Sequence, residues 1–310
     1  MLTGTVLRAQ GGVYEVETAD GVTEAVLRGK LKRDERSGDK VVVGDRVDLA
    51  PEASGESTVW AIQKVHERTS VLARRAPGKA PRPKVIAANL DQVLIVFAAA
   101  NPTPHLRMLD RFLVIAEDAD IRPVIVVNKT DVSGEPEARR TFAPYVAAGY
   151  TVIFSAAKRG VGVDEVRDRL CGCTSALAGP SGVGKSSLLN AIQPGLGLRV
   201  AEISEALNKG RHTTVTAQLI PLECGGYVAD TPGLRELGLW EVDRDNLQFY
   251  FPEFAPFQGG CRYPTCSHVH EPGCAIRTAV DAGQVDPGRY ESYRRMMTGE
   301  DDDFAPSSRW

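Results

Sequence analysis

No stretch of the 310-residue chain approaches the roughly eighteen consecutive apolar residues that a membrane-spanning helix needs. The opening Met1-Leu2-Thr3-Gly4 lacks the basic and apolar blocks of a secretion signal, so a cytoplasmic protein with no membrane partner is expected. A strong excess of one charge is also missing. The 37 Lys and Arg and 40 Asp and Glu leave a formal charge of −3, which excludes a uniformly basic nucleic-acid binder but not local basic patches. Cysteine is scarce, six in all, and in a reducing cytosol a metal or a reactive thiol is expected before a disulfide. There is no internal repeat, and low complexity is confined to the acidic residues 300–303. What remains is ordinary for a soluble globular chain: 43% apolar and 25% charged residues, enough for about two domains, or three if the ends are small.

Residues 1–66 read as five short strands (4–9, 13–18, 24–28, 41–49 and 58–65) with turn signals between them and no long helix. That pattern fits a small barrel of the oligonucleotide-binding type, and a small sandwich would leave much the same trace. Residues 64–84 then carry seven basic side chains, Lys64, Arg68, Arg74, Arg75, Lys79, Arg82 and Lys84, against the single acid Glu67. With Pro77, Gly78, Pro81 and Pro83 inside it, the later part is expected to lack regular structure, as either a solvated linker or a basic strap for phosphates. Strand–helix alternation follows, with strands at 92–98, 124–127, 151–154, 176–178, 217–222 and 227–229. One helix runs to about 117, capped by Thr103 with Pro104 at its first position, and another spans 164–170. Such alternation builds a mostly parallel sheet with helices on both faces.

Gly179-Pro180-Ser181-Gly182-Val183-Gly184-Lys185-Ser186-Ser187 matches the phosphate-loop pattern G-x-x-x-x-G-K-[ST], between an apolar strand and a helix start. Backbone N–H groups of such a loop wrap phosphates, Lys185 adds a point charge, and Ser186 offers a hydroxyl to Mg²⁺. Phosphate loops serve ATP and GTP alike, so the base must be read elsewhere. Asn128-Lys129-Thr130-Asp131 sits at the C-terminal end of a strand, where open α/β sheets bind ligands, and resembles the N-K-x-D guanine-reading motif of GTPases. Asp131 can accept from guanine N1–H and its 2-amino group, Asn128 can brace the phosphate loop, and the Lys129 stem can lie over the ring. Ser155-Ala156-Ala157 resembles the motif whose backbone N–H, expected at Ala156, meets guanine O6. Asp230-Thr231-Pro232-Gly233 matches D-x-x-G, with Asp230 on the Mg²⁺ shell and Gly233 at the γ-phosphate. Gly210-Arg211-His212-Thr213-Thr214 offers Thr213 or Thr214 as a further Mg²⁺ ligand. The motif order is permuted, because N-K-x-D and the Ser-Ala motif precede the phosphate loop instead of following it.

Cys261, Cys266, His268 and Cys274 fall within fourteen residues, flanked by Gly259-Gly260 and Pro272-Gly273. Three thiolates and an imidazole suit one structural, tetrahedral Zn²⁺, with His270 a rival to His268 on spacing alone. Cys171, Cys173 and Cys224, in or near apolar strands, are expected to be plain core residues.

Together these features resemble the RsgA family of small-ribosomal-subunit biogenesis GTPases, over essentially the whole chain. The resemblance implies an N-terminal OB-like β-barrel (1–68), a basic linker (69–84), a circularly permuted α/β P-loop GTPase domain (85–240) and a mainly helical zinc domain (241–310). It implies a cytoplasmic, monomeric enzyme that binds GTP and GDP with Mg²⁺, engages the 30S subunit and its 16S rRNA, and hydrolyses GTP faster there. It selects His268 as the zinc ligand. Leu234 stands where Ras-like enzymes place a water-orienting glutamine, so slow intrinsic hydrolysis is expected. Gly182 replaces the asparagine of potassium-activated relatives, which argues against a potassium requirement. His212 either positions water, with Lys185 as its catalytic companion, or only orders its loop or touches RNA. A switch acting on a protein partner, with the barrel as adaptor, is the competing reading. The basic run together with Arg289, Arg294 and Arg295 favours RNA instead.

Overall fold

The computed structural model describes residues 1–28, 40–54, 57–74, 84–196, 217–230 and 244–300. The first five strands, β1 (Leu2–Gln10), β2 (Val13–Thr18), β3 (Gly21–Leu27), β4 (Arg46–Ser54) and β5 (Ser57–Val65), pair in the order β1-β2-β3-β5-β4. A β1–β4 pairing, Leu2 opposite Leu49, closes the ring. Alternation along each strand points Val6, Tyr14, Val16, Val47, Leu49 and Ile62 inward to one core. The expected strand at 41–49 is cut at its start. Gly44 adopts φ +85° and the buried Asp45 carboxylate takes the Val42 N–H at 2.8 Å, so the chain turns before β4 begins.

Arg68 answers that buried charge with a fork, Nε to Asp45 Oδ1 at 2.7 Å and Nη2 to Oδ2 at 2.8 Å. One member of the basic run is therefore a structural partner of the barrel. On either side of the proline-rich part, β6 (Val71–Arg74) pairs antiparallel with β7 (Lys84–Ala88), and Leu72 and Ala87 enter the core of the next domain. Residues 75–83 lie outside the described residues.

The main sheet runs β10-β9-β8-β11-β13-β12, built from β8 (Gln92–Ala98), β9 (Arg122–Asn128), β10 (Thr151–Phe154), β11 (Thr174–Ala178), β12 (Gln218–Pro221) and β13 (Tyr227–Asp230). All pairings are parallel except β12–β13. β8 is buried along its whole length, as expected of a central strand covered on both faces. Helix α1 (Leu106–Asp118) covers one face with Leu109, Phe112, Leu113 and Ala116. Helices α4 (Val163–Leu170) and α5 (Lys185–Ile192) cover the other with Val166, Leu188 and Leu189. Between α1 and α4 in the chain lie α2 (Thr130–Ser133) and α3 (Glu135–Ala147). The cap of α1 is His105, not Thr103. Its Nδ1 accepts the Met108 N–H at 3.3 Å, a bond that a side chain two residues earlier cannot reach.

The barrel joins this sheet edge-on, with β1 pairing antiparallel to β12 at Arg8 and Gln218. The C-terminal part is short helical turns (Leu247–Tyr250, Pro252–Phe257), α6 (Ala275–Asp281) and α7 (Pro287–Thr298). Its core, Phe251, Phe254, Tyr293 and Met296 among others, takes in Val114 from the outer face of α1. Arg289 fixes the contact. It is 2% exposed and donates to Asp110 of α1 at 2.7 Å and to both Glu253 oxygens at 2.7 and 3.1 Å. Ser292 donates to the other Asp110 oxygen.

Candidate nucleotide and metal sites

β8, β9, β10, β11 and β13 point their C-terminal ends to one rim of the sheet, and the sequence motifs fall there. After β11 the chain curls through residues 179–184 into α5. Gly179 has φ +125°, and a Cβ there would lie 2.1 Å from the Val96 carbonyl oxygen. Gly184 has φ +95°, and its Cβ would lie 2.5 Å from Asn128 Nδ2. Both positions exclude a side chain for space as well as conformation. Lys185 Nζ donates to the carbonyls of Gly179 and Pro180 at 2.6 and 2.7 Å, so its ammonium sits inside the curl. Ser181, Gly182, Ser186 and Ser187 are exposed along it, whereas Val183 is buried as its anchor.

Asn128 ends β9 and is 2% exposed. Its Nδ2 donates to the Val183 carbonyl at 3.0 Å, while its Oδ1 accepts from Ser155 Oγ at 3.3 Å and from the Ala157 N–H at 3.1 Å. One side chain thus ties together the base motif, the phosphate loop and the Ser-Ala motif. Lys129 adopts φ +61° and donates to the carbonyls of Gly182, at 2.6 Å, and Asn101, which brings its stem across the loop. Thr130 is buried, and its Oγ1 donates to the Ser155 carbonyl at 3.1 Å. Arg159 Nε lies 3.2 Å from Asp131 Oδ2, a partner that no motif spacing signals. The Ala156 N–H is engaged by the Val161 carbonyl at 2.9 Å, so a purine oxygen here must share that donor. Asp230 closes β13 on the same rim, opposite Gln218. His212, Thr213, Thr214, Gly233 and Leu234 lie outside the described residues.

The ligand atoms of Cys261, Cys266, His268 and Cys274 lie within 4.8 Å of one another, and three of these residues are buried. His268 takes φ +60° and brings Nδ1 to 3.4 Å from both Cys261 Sγ and Cys274 Sγ. Its Nε2 faces Gln248 Oε1 at 2.9 Å, an arrangement that leaves Nδ1 as the ligand nitrogen. Backbone N–H groups of Ala275 and Arg277 point at Cys261 and Cys274 sulfurs at 3.3 and 3.5 Å, as thiolate acceptors require. Burial pushes the Cys266 thiol up to about 12, so binding a cation there must displace its proton. Three soft sulfurs and one oriented imidazole fit tetrahedral zinc. His270 is exposed and lies outside the cluster, whereas His268 lies within it. Gln248 was not legible, because it comes from a separate turn.

Cys171 and Cys224 are not core residues: they form a disulfide with Cα atoms 5.3 Å apart, Cys224 exposed and Cys171 half-buried. Cys173 is a free, half-buried thiol. The C-terminal arginines do not make a free basic face. Arg289 is buried, and Arg294 and Arg295 are matched by Glu291 and Glu300 within 2.8–3.5 Å, because each acid lies on the same or the next turn of chain.

A phosphate loop and a guanine-type strand end, fastened by one asparagine in reversed chain order, define a circularly permuted P-loop GTPase with a barrel before it and a metal knuckle after it. Residues 65–240 match the RsgA GTPase family and residues 3–59 the RsgA N-terminal domain. The chain belongs to this family and is a GTP hydrolase. It is 52% identical over 295 residues to the small ribosomal subunit biogenesis GTPase RsgA of Gemmatimonas aurantiaca, covering 95% of this chain and 96% of that protein. The protein of the same name from Moorella thermoacetica is 44% identical over 301 residues, covering 96% of each. Among solved structures, YjeQ from Thermotoga maritima aligns with TM-score 0.78 at 35% identity, covering 96% of this chain and 98% of that one. YloQ, a circularly permuted GTPase, aligns with TM-score 0.73 at 28% identity, covering 99% and 97%.

Proposed function

We propose that this chain is a cytoplasmic, monomeric assembly GTPase that binds the 30S ribosomal subunit and its 16S rRNA late in maturation, and leaves after hydrolysing GTP. The observation that carries the nucleotide half is the Asn128 bridge to Val183, Ser155 and Ala157. The ribosomal half rests on relatives named small ribosomal subunit biogenesis GTPases that match it over nearly their full length.

In this reading Asp131 accepts two guanine hydrogen bonds, Lys129 covers the ring, and Ser155 and Ala156 flank O6. Thr130 holds the Asp131 turn onto the Ser155 carbonyl. The backbone of Gly179, Pro180, Ser181, Gly182, Val183 and Gly184 cradles the phosphates, with Ser187 on the first turn of α5. Lys185 trades its two loop carbonyls for phosphate oxygens. Ser186, Asp230 and one of Thr213 and Thr214 hold Mg²⁺, which when bound neutralises charge developing between the β- and γ-phosphates. Gly233 meets the γ-phosphate, and His212 is the candidate for positioning water when the protein is on the subunit. Zinc on Cys261, Cys266, His268 and Cys274 makes the small C-terminal domain rigid enough to act as a contact surface. Barrel (1–68), strap (69–84), GTPase domain (85–240) and zinc domain (241–310) are the working units.

Cosedimentation with purified 30S subunits tests this. Retention with a non-hydrolysable GTP analogue and release with GDP are expected. Equal retention with both nucleotides, or none with either, contradicts the reading.

A further inference from the structure

The β12–β13 hairpin does two jobs. β12 carries the barrel through its pairing with β1, and β13 ends at Asp230 on the nucleotide rim. The strands are held on both sides by β11 and β1, so the part of the hairpin left to be fixed is its turn. That grip lies at the start of β11. Gly172 N–H donates to the Gly225 carbonyl at 2.9 Å, and Tyr227 N–H donates to the Cys173 carbonyl at 2.9 Å. Gly226 has φ +83°, and a Cβ there would lie 2.5 Å from the Cys173 carbonyl oxygen, so the two backbones are already in contact. The Cys171–Cys224 bond crosses the same contact and closes a loop, 53 residues in separation, that contains the entire phosphate loop.

We propose that Cys171 and Cys224 form a reversible redox clamp. Oxidised, it pins the hairpin turn to the head of β11; reduced, it leaves that turn to the two backbone bonds at Gly172 and Tyr227. The placement suits exchange. Cys224 is exposed and Cys171 half-buried, so a small disulfide reaches the pair, while Cys266 and Cys274 are buried in the metal cluster. Exposed disulfides are the ones that small thiols and disulfides readily open and close.

The co-reactant is a low-molecular-weight disulfide such as oxidised glutathione. The thiolate of one cysteine attacks a glutathione sulfur, breaking that S–S bond and expelling one glutathione thiolate. The thiolate of the second cysteine then attacks the protein-side sulfur of the mixed disulfide and expels the other. The two protein thiols are oxidised, the glutathione disulfide is reduced to two thiols, and the two protons released by the protein end on them.

The test uses the full, zinc-loaded chain poised with oxidised or reduced glutathione. Peptide mass mapping reads the bond, and hydrogen exchange reads the amides of residues 218–228. A Cys171–Cys224 peptide is expected only in the oxidised sample, and exchange at 218–228 should rise at least threefold on reduction, with β4 and β5 unchanged. Cys224→Ser, a small change on an exposed turn, should show the faster exchange in both buffers, and Cys171→Ser should do the same. Cys173→Ser should keep the redox response. Absence of the bond in oxidised samples, pairing of Cys173 in its place, or equal hairpin exchange in both states would overturn the proposal.

Discussion

Asn128 and Val183 are 55 residues apart in the chain and 3.0 Å apart in space, the amide of one donating to the carbonyl of the other. In an unpermuted GTPase the phosphate loop comes first. Here the base motif is made first, and the same side chain still joins the two. Permutation moves chain ends but leaves strand ends on one rim, so the contact survives.

Asn128→Ala removes that brace together with the acceptor for Ala157 N–H and Ser155 Oγ. Each buried partner left unmet costs about 1–3 kcal/mol. Part of that should appear in binding, so GTP and GDP affinity should both fall by about tenfold or more, equivalent to about 1.4 kcal/mol. Calorimetric titration checks this. Unchanged affinity for both nucleotides would mean the bridge is dispensable to the loop.

Asp131→Asn keeps the shape of the base reader but turns one acceptor into a donor facing guanine N–H groups. Affinity should shift from GTP toward xanthosine triphosphate, which offers an acceptor there. The lost contact with Arg159, an exposed group, contributes little. Competition with labelled nucleotide measures the swap, and a variant that still rejects the xanthine nucleotide while holding GTP would remove Asp131 from its role.

The strand rims were legible because each motif is contiguous and its chemistry is local. The strands at 92–98 and 151–154 fall where alternation and apolar runs put them. The paired contacts were not. Helix α1 packs Leu109, Phe112, Leu113 and Ala116 on the sheet, yet Asp110 and Val114 on its other side are also buried, because the C-terminal domain covers them. The β6–β7 pair was hidden by its proline-rich surroundings, and the disulfide by the expectation of reduced thiols. Gln248 and Arg159 meet their partners across gaps that no spacing rule spans.

Asp110→Ala tests that hidden interface. Burial pushes the Asp110 carboxyl up against the opposing pull of Arg289, and removing the acid leaves a buried guanidinium with Glu253 as its one carboxylate partner among the described residues. Loss of one partner in such a network costs about 3–5 kcal/mol. Chemical denaturation should show the loss in the transition that includes the C-terminal domain. A midpoint unchanged from the parent would mean the charge is solvated.

Cys266→Ala should weaken zinc binding enough for the metal to be lost on dialysis against a chelator, since it removes one of the three thiolates and opens the closed site to water. The nucleotide rim is built by other elements, so affinity for GTP without ribosomes should stay within about threefold, under 1 kcal/mol. Small-subunit stimulation should be lost with the metal. Metal analysis and turnover on one preparation decide the point, and full stimulation in a zinc-free protein would leave the knuckle as a fold staple only.

The most direct measurement is steady-state GTP turnover of the intact protein with and without purified 30S subunits, at fixed nucleotide. Turnover should be slow alone and rise at least tenfold with subunits, about 1.4 kcal/mol off the barrier. Rates that stay equal across the titration would contradict a ribosome-activated GTPase and return the barrel to the role of adaptor for another partner.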